Sequence, residues 1–96
     1  MQIEDRVAIV TGAGSGIGRA LAQALSAAGA RVMVSDIDEA RATETAETIA
    51  AAGGVAVAAR ADAAATVDIE NLVTRAETEL GPVDIYVANA GIIGAP

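Results

Sequence analysis

A glycine-rich loop follows the first apolar run of the chain, at a place where a strand must turn into a helix. The segment Thr11-Gly-Ala-Gly-Ser-Gly-Ile-Gly18 joins residues 7–10 to a helical pattern. Backbone N–H groups free of side-chain bulk approach an anion closely, and the start of a helix adds about half a positive charge. The loop therefore predicts a site for the diphosphate of a dinucleotide, although similar glycines also form turns without a ligand. The predicted contacts are Gly12, Ser15, Gly16, Ile17 and Gly18.

An acidic residue stands at the end of the second predicted strand. Asp36 lies eighteen positions after Gly18, a spacing at which a carboxylate accepts hydrogen bonds from the hydroxyls of the adenosine ribose. A 2′-phosphate would be repelled by this carboxylate with an energy on the order of several kcal/mol, at ~4 Å and an effective dielectric constant of about 20. The sequence therefore predicts NAD in preference to NADP, unless the next helix turns Arg41 toward the ribose. Asp38 is expected to cap that helix.

Length and composition bound the possible classes of protein. A chain of 96 residues allows one small domain, residues 1–96, and the absence of cysteine excludes disulfides and thiolate metal sites. No uninterrupted apolar stretch is long enough to span a membrane, and the first strand begins too early to leave room for a signal sequence. We therefore expect a cytoplasmic protein with neither a metal site nor a membrane partner.

The charge balance is acidic, with thirteen carboxylates against six arginines and a formal net charge of −7. Nucleic acid would be repelled by this surface and is not expected as a partner. A dinucleotide is also anionic, so short-range backbone donors must hold it, and moderate salt should not weaken its binding.

Short apolar runs alternate with longer segments of helical periodicity. Continuous apolar runs predict strands buried on both faces, and apolar residues at spacings of three and four predict helices with one buried stripe. The predicted strands are 6–11, 31–35, 55–60 and 84–88, and the predicted helices are 15–28, 39–52 and 67–80. The predicted stripes are Ile17, Leu21, Ala24, Leu25 and Ala28, then Ala42, Ala46, Ile49 and Ala50, then Ile69, Leu72, Val73, Ala76 and Leu80.

This alternation predicts an α/β fold with a Rossmann-type parallel sheet of four strands and three helices. Right-handed crossovers place the first two helices on one face and the third on the other, which gives the strand order 3-2-1-4. The glycine-rich loop then lies at the switch point of the sheet.

Two motifs carry a resemblance to a known family. The pattern T-G-x-x-x-G-x-G of Thr11, Gly12, Gly16 and Gly18, followed by Asn89-Ala90-Gly91 after the last strand, resembles the classical short-chain dehydrogenases/reductases. The resemblance implies an oxidoreductase that transfers hydride between a nicotinamide cofactor and an alcohol or carbonyl substrate.

The resemblance also implies further cofactor contacts. Asp62 corresponds to the residue beside the adenine amino group, and the N–H of Ala63 would contact the ring. Asn89, Ala90 and Gly91 would line the ribose on the nicotinamide side. The alternatives are that Asp62 caps a helix or forms a turn, and that the Asn89 amide ties neighbouring strands together. The Thr11 hydroxyl is expected to stabilise the turn.

The catalytic residues of the family are not expected within this chain. The Tyr-x-x-x-Lys pair cannot occur, because Tyr86 is the only tyrosine, lies in the fourth strand, and no lysine is present. The chain therefore resembles the dinucleotide-binding portion of an NAD-dependent oxidoreductase, truncated before the catalytic region and inactive by itself. The alternative is a naturally short, non-catalytic module for dinucleotide binding or assembly.

A sheet of this size should remain partly uncovered. Four strands span about 19 Å, whereas one helix is ~10–12 Å across, so the third helix covers about half of its face. The isolated chain is therefore expected to be marginally stable, and to form a homo-oligomer or associate through the exposed edge of the sheet.

Overall fold

The computed structural model describes residues 2–89. Strands and helices alternate throughout this part of the chain, as predicted. The strands are β1 (Val7–Val10), β2 (Arg31–Asp36), β3 (Val55–Arg60) and β4 (Ile85–Val87), and the helices are α1 (Gly16–Ala27), α2 (Glu39–Ala51) and α3 (Thr66–Glu79).

The four strands form one parallel sheet in the order β3-β2-β1-β4. In this register Ile9 of β1 lies between Met33 of β2 and Tyr86 of β4. The predicted Rossmann-type architecture and strand order are confirmed. Because all strands run the same way, their carboxyl ends meet at one edge, and the loops after β1, β2, β3 and β4 meet there too.

The two faces of the sheet carry separate apolar cores. Ala8 and Val10 of β1 belong to a cluster with Ala22 of α1 and Ala42 of α2. The alternate β1 residues belong to a second cluster, which includes Leu72 of α3. The predicted assignment of α1 and α2 to one face and of α3 to the other is confirmed, and β1 is buried on both sides.

The predicted buried stripe of α1 is wrong in phase. Gly18 and Ala22 are the buried residues of this helix, whereas Ile17 is 64% exposed and Leu21 38% exposed. Small residues face the sheet because α1 lies close to it. Of the remaining predicted stripe, Leu25 is half-buried, and Ala24 and Ala28 are exposed.

The other two helices follow their predicted stripes closely. Ala42, Ala46 and Ile49 of α2 are buried, whereas Ala50 is exposed and Thr45 is buried in its place. In α3 and the residue that follows it, Leu72, Ala76 and Leu80 are buried, and Val73 packs against the same cluster. Ile69 is half-buried.

The prediction that β4 is buried on both faces is wrong. Ile85 and Val87 pack against the cluster on the α1 and α2 face. Tyr86 lies on the opposite face and is 41% exposed. The cluster under α3 draws on β1, β2 and β3, so this helix does not cover β4. The partial coverage expected for this face is therefore observed.

Candidate functional site

The loop between β1 and α1 adopts a conformation that requires glycine at two positions. Gly12 has a φ of 63° and Gly16 a φ of 59°, in the left-handed region that side chains with a Cβ rarely adopt. A Cβ added at Gly16 would meet no atom within 4 Å, so the space beside this residue is open.

The backbone N–H groups of the loop fall into two sets. Ala13 donates to the Ser35 carbonyl at 2.9 Å, and Gly14 donates to Asp36 Oδ2 at 2.9 Å. Among residues 2–89, no acceptor is found for the N–H groups of residues 15–18, and the Ser15 side chain does not cap the helix. These unpartnered donors stand at the positive end of the α1 dipole, where an anion is stabilised.

Gly18 lies too close to the loop to carry a side chain. A Cβ at this position would lie 2.1 Å from the Gly12 carbonyl oxygen and 2.7 Å from Asn89 Nδ2. Neither distance is compatible with a real contact. The third glycine of the motif therefore allows α1 to begin directly against the end of β1.

Asn89 and Thr11 join the end of β4 to the loop. Asn89 is buried; its side chain donates to the Gly12 carbonyl at 3.3 Å and its backbone N–H donates to Thr11 Oγ1 at 3.0 Å. The Thr11 hydroxyl donates to the Val87 carbonyl at 3.3 Å. The strand-tying alternative for Asn89 and the turn-stabilising role of Thr11 are thus confirmed. Contact between Asn89 and a cofactor stays a prediction.

Asp36 uses both carboxylate oxygens within the protein. Its Oδ2 accepts from Gly14, and its Oδ1 accepts from the Asp38 N–H at 2.9 Å. An ionised carboxylate offers about four acceptor positions, so capacity for ribose hydroxyls remains. Asp38 caps α2, as predicted, through a bond from the Arg41 N–H at 3.3 Å. The Arg41 side chain is paired with Asp38 at 3.6 Å.

The segment after β3 forms a turn around Asp62. Asp62 Oδ1 accepts from the Ala64 N–H at 2.9 Å, and the Asp62 N–H donates to Asp68 Oδ2 at 2.8 Å. Asp68 also lies 3.5 Å from the Arg60 guanidinium. The turn alternative for Asp62 is therefore observed, and it holds Ala63 exposed at the edge of the sheet. An adenine contact of either residue stays a prediction.

A cleft of about 570 Å³ opens at the carboxyl ends of the strands, a size typical of small-molecule sites. It brings together six of the predicted contacts: Gly12, Ser15, Asp36, Asp62, Ala63 and Asn89. Gly16, Ile17 and Gly18 follow directly after Ser15 in the first turn of α1. Ala90 and Gly91 lie outside the described residues. The unpredicted lining residues are Thr11, Ile37, Ala61, Ala64, Ile69, Tyr86 and Ala88.

A comparison with known proteins places this architecture in a family. The family model described as short chain dehydrogenase matches residues 6–96. The chain belongs to the short-chain dehydrogenase family. Galactitol 2-dehydrogenase from Agrobacterium fabrum is 44% identical over 92 residues, which make up 96% of this chain and 35% of that protein.

Solved structures of short-chain dehydrogenases superpose on the chain. Hydroxysteroid dehydrogenase from Escherichia coli matches with a TM-score of 0.90 and 41% identity, over 94% of this chain and 38% of that chain. A structure of 7α-hydroxysteroid dehydrogenase complexed with NADH and 7-oxo glycochenodeoxycholic acid matches with a TM-score of 0.86 and 39% identity, over 88% of this chain and 33% of that chain. The present chain thus spans about a third of the length of these three relatives.

The Ile17 side chain does not have the environment that the sequence predicted. The sequence predicts a buried side chain and an N–H that faces the diphosphate, but the side chain is 64% exposed. The backbone half of the prediction is compatible with the structure, because the Ile17 N–H is one of the unpartnered donors of residues 15–18.

Among residues 2–89, Tyr86 is the titratable side chain whose pKa departs clearly from its ordinary value. Desolvation raises the pKa of the Tyr86 phenol above 10.0, so the hydroxyl is protonated at neutral pH. No lysine occurs in the sequence to lower that pKa. Tyr86 therefore contributes an apolar ring and a neutral hydroxyl to the wall of the cleft.

Thr45 lies buried beside the glycine-rich loop, and the sequence patterns did not identify it as a site residue. Its side chain is 0% exposed, and its hydroxyl donates to the Ala13 carbonyl at 2.9 Å. The position follows Ala42 by three residues and therefore lies on the predicted buried stripe of α2. A polar residue on a buried stripe needs a hydrogen-bond partner, and that need could have identified Thr45 from the sequence.

Two negative findings apply to residues 2–89. No group of three or more histidine, cysteine, aspartate or glutamate side chains is placed to hold a metal ion. Within the same range, none of the helices combines the length and the apolar character needed to cross a membrane.

Proposed function

We propose that these residues form the NAD-binding portion of a short-chain oxidoreductase that acts on an alcohol or carbonyl substrate. The observation that carries the proposal is the set of unpartnered N–H groups at residues 15–18, which stand beside the cleft at the start of α1. In this proposal they bind the diphosphate, with Gly12, Gly16 and Gly18 permitting the close approach. The reported complex of 7α-hydroxysteroid dehydrogenase with NADH supports a nicotinamide cofactor.

Each residue at the cleft has a binding or orienting task in this proposal. Asp36 accepts hydrogen bonds from the adenosine ribose, and Asp62 and Ala63 contact the adenine. Asn89, with Ala90 and Gly91, lines the second ribose. The bound nicotinamide supplies the hydride chemistry. The side chains of Ile37, Ile69 and Tyr86 form an apolar part of the cleft wall.

The preference for NAD rests on the charge at the end of β2. The Asp36 carboxylate would face a 2′-phosphate without a free cation from Arg41, because that guanidinium is paired with Asp38. These residues alone are proposed to bind cofactor without turnover, since the sequence offers neither a lysine nor a tyrosine outside β4. The cytoplasmic location stays a prediction.

The test is a calorimetric titration of the protein carrying this sequence with NAD and with NADP. The unaltered protein should bind NAD more tightly. Asp36→Ala should weaken NAD binding by on the order of tenfold, since a hydrogen bond to a charged group contributes about 1.5–3 kcal/mol, and should narrow the preference over NADP.

The matched control is Asp38→Ala, which removes a carboxylate two residues away. This change should cost about 1 kcal/mol of stability through the lost cap of α2 and leave the affinity for NAD unchanged. The Arg41 guanidinium that it frees from Asp38 would improve the binding of NADP alone. If Asp36→Ala left both affinities unchanged, the ribose assignment would be wrong. If the unaltered protein bound neither dinucleotide, the proposed function itself would fail.

A further inference from the structure

The peptide group between Ala13 and Gly14 is held at both ends by side chains from outside the loop. Its carbonyl accepts from Thr45 Oγ1 at 2.9 Å, and its N–H donates to Asp36 Oδ2 at 2.9 Å. The preceding N–H, on Ala13, is held by the Ser35 carbonyl at 2.9 Å. The plane of this peptide group is therefore fixed by α2 on one side and by the end of β2 on the other.

This fixed peptide stands immediately before the unpartnered donors of residues 15–18. Glycines at positions 12, 14 and 16 give the loop backbone many alternative conformations, and ordering them costs conformational entropy. Donors aimed at an anion bind it well only when they are already oriented before it arrives. An anchor just upstream of the donors therefore determines how well the loop is prepared to bind.

Thr45 cannot act by touching a ligand. Its side chain is 0% exposed, and it reaches the loop only through the Ala13 carbonyl. The close packing at Gly14 belongs to the same arrangement, because a Cβ there would lie 2.6 Å from the Arg41 Cβ and 2.7 Å from Asp36 Oδ2. The loop thus rests directly on α2 and on the end of β2.

We infer that Thr45 and Asp36 are positioning residues that hold the diphosphate-binding loop in its binding conformation. Asp36 would then have a second role besides contact with the ribose. This inference rests on the proposed function, since it concerns the same diphosphate. It predicts that both side chains contribute to the affinity for ligands with a diphosphate, even where the ligand has no hydroxyl for Asp36 to accept from.

The first experiment compares binding of ADP and adenosine to the protein carrying this sequence. Thr45→Val keeps the shape of the side chain and removes its hydroxyl, so ADP should bind about tenfold more weakly, whereas adenosine should change less than about twofold. Thr45→Ser restores the hydroxyl and should restore ADP binding. The matched control is Thr43→Val on the same helix, where the side chain is exposed and ADP affinity should not change.

The second experiment isolates the role of Asp36 and does not depend on the folding of a core variant. The probe is 2′,3′-dideoxy-ADP, which has no ribose hydroxyls. Asp36→Ala should still weaken its binding by on the order of fivefold, because the Gly14 N–H loses its acceptor. Asp38→Ala is the control and should leave this affinity unchanged.

The outcomes separate this inference from the proposed function. If the unaltered protein binds ADP, but Thr45→Val weakens ADP and adenosine equally, Thr45 is only a structural residue and the inference is overturned. Unchanged binding of dideoxy-ADP to Asp36→Ala overturns it for Asp36. Absence of any ADP or NAD binding to the unaltered protein would overturn the proposed function together with it.

Discussion

At the scale of single residues, the loop depends on three glycines for different physical reasons. The backbone is left-handed at Gly12 and at Gly16, and the space beside Gly16 is open. Gly18 cannot carry a Cβ, because that atom would lie 2.1 Å from the Gly12 carbonyl oxygen. The sequence motif marks all three positions. It does not distinguish a backbone requirement from a packing requirement, because that distinction depends on what lies beside each residue.

Alanine substitutions should separate these two requirements. Gly18→Ala should lower the free energy of unfolding by about 2–3 kcal/mol, since the carbonyl of Gly12 and the amide of Asn89 must both shift. Gly16→Ala serves as the comparison and should cost only about 1 kcal/mol, for its left-handed φ. Urea denaturation measures both values. Equal losses would mean that α1 does not pack against the loop at position 18.

At the scale of elements, the strands were easier to predict than the orientation of the helices. Val7–Val10 is a continuous apolar run, and such a run in a βαβ pattern is buried on both faces whatever the exact packing. In α1 the larger residues Ile17 and Leu21 suggested the inward side, but Gly18 and Ala22 face the sheet. Close packing selects small residues there, and hydrophobicity alone does not reveal how closely a helix approaches.

The observed phase of α1 leads to a direct comparison between two alanines. Ala22→Val introduces two methyl groups at a fully buried position and should cost about 1–3 kcal/mol. The same change at the exposed Ala24 adds the same atoms and the same loss of helix propensity, and should alter the free energy of unfolding by about 0.5 kcal/mol. Thermal or urea denaturation of the two variants measures this difference. The stripe predicted from the sequence buries Ala24 instead of Ala22, so it would make the change at Ala24 the more costly one.

At the scale of the whole molecule, topology places the site and packing gives it walls. The order β3-β2-β1-β4 brings the loops after all four strands to one edge, and that order followed from the alternation of elements alone. The ring of Tyr86 in the cleft wall was not predictable in the same way. It is exposed at the cleft because the apolar cluster under α3 includes residues of β1, β2 and β3 but none of β4. Which strands a helix leaves uncovered depends on where the helix lies across the sheet. The spacing of apolar residues along the helix does not give that position.

The net charge of the molecule gives a prediction about salt. The formal charge is −7, and in the structure Arg19 is paired with Glu44 and Arg41 with Asp38, so the diphosphate is expected to be held by backbone donors. Raising the ionic strength screens the repulsion between an acidic protein and an anionic dinucleotide. The Kd for NAD should therefore stay constant or fall by less than about threefold between roughly 0.05 and 0.3 M salt. Calorimetry at several salt concentrations measures this. A tenfold weakening would instead indicate that arginine side chains leave their carboxylate partners to bind the phosphates.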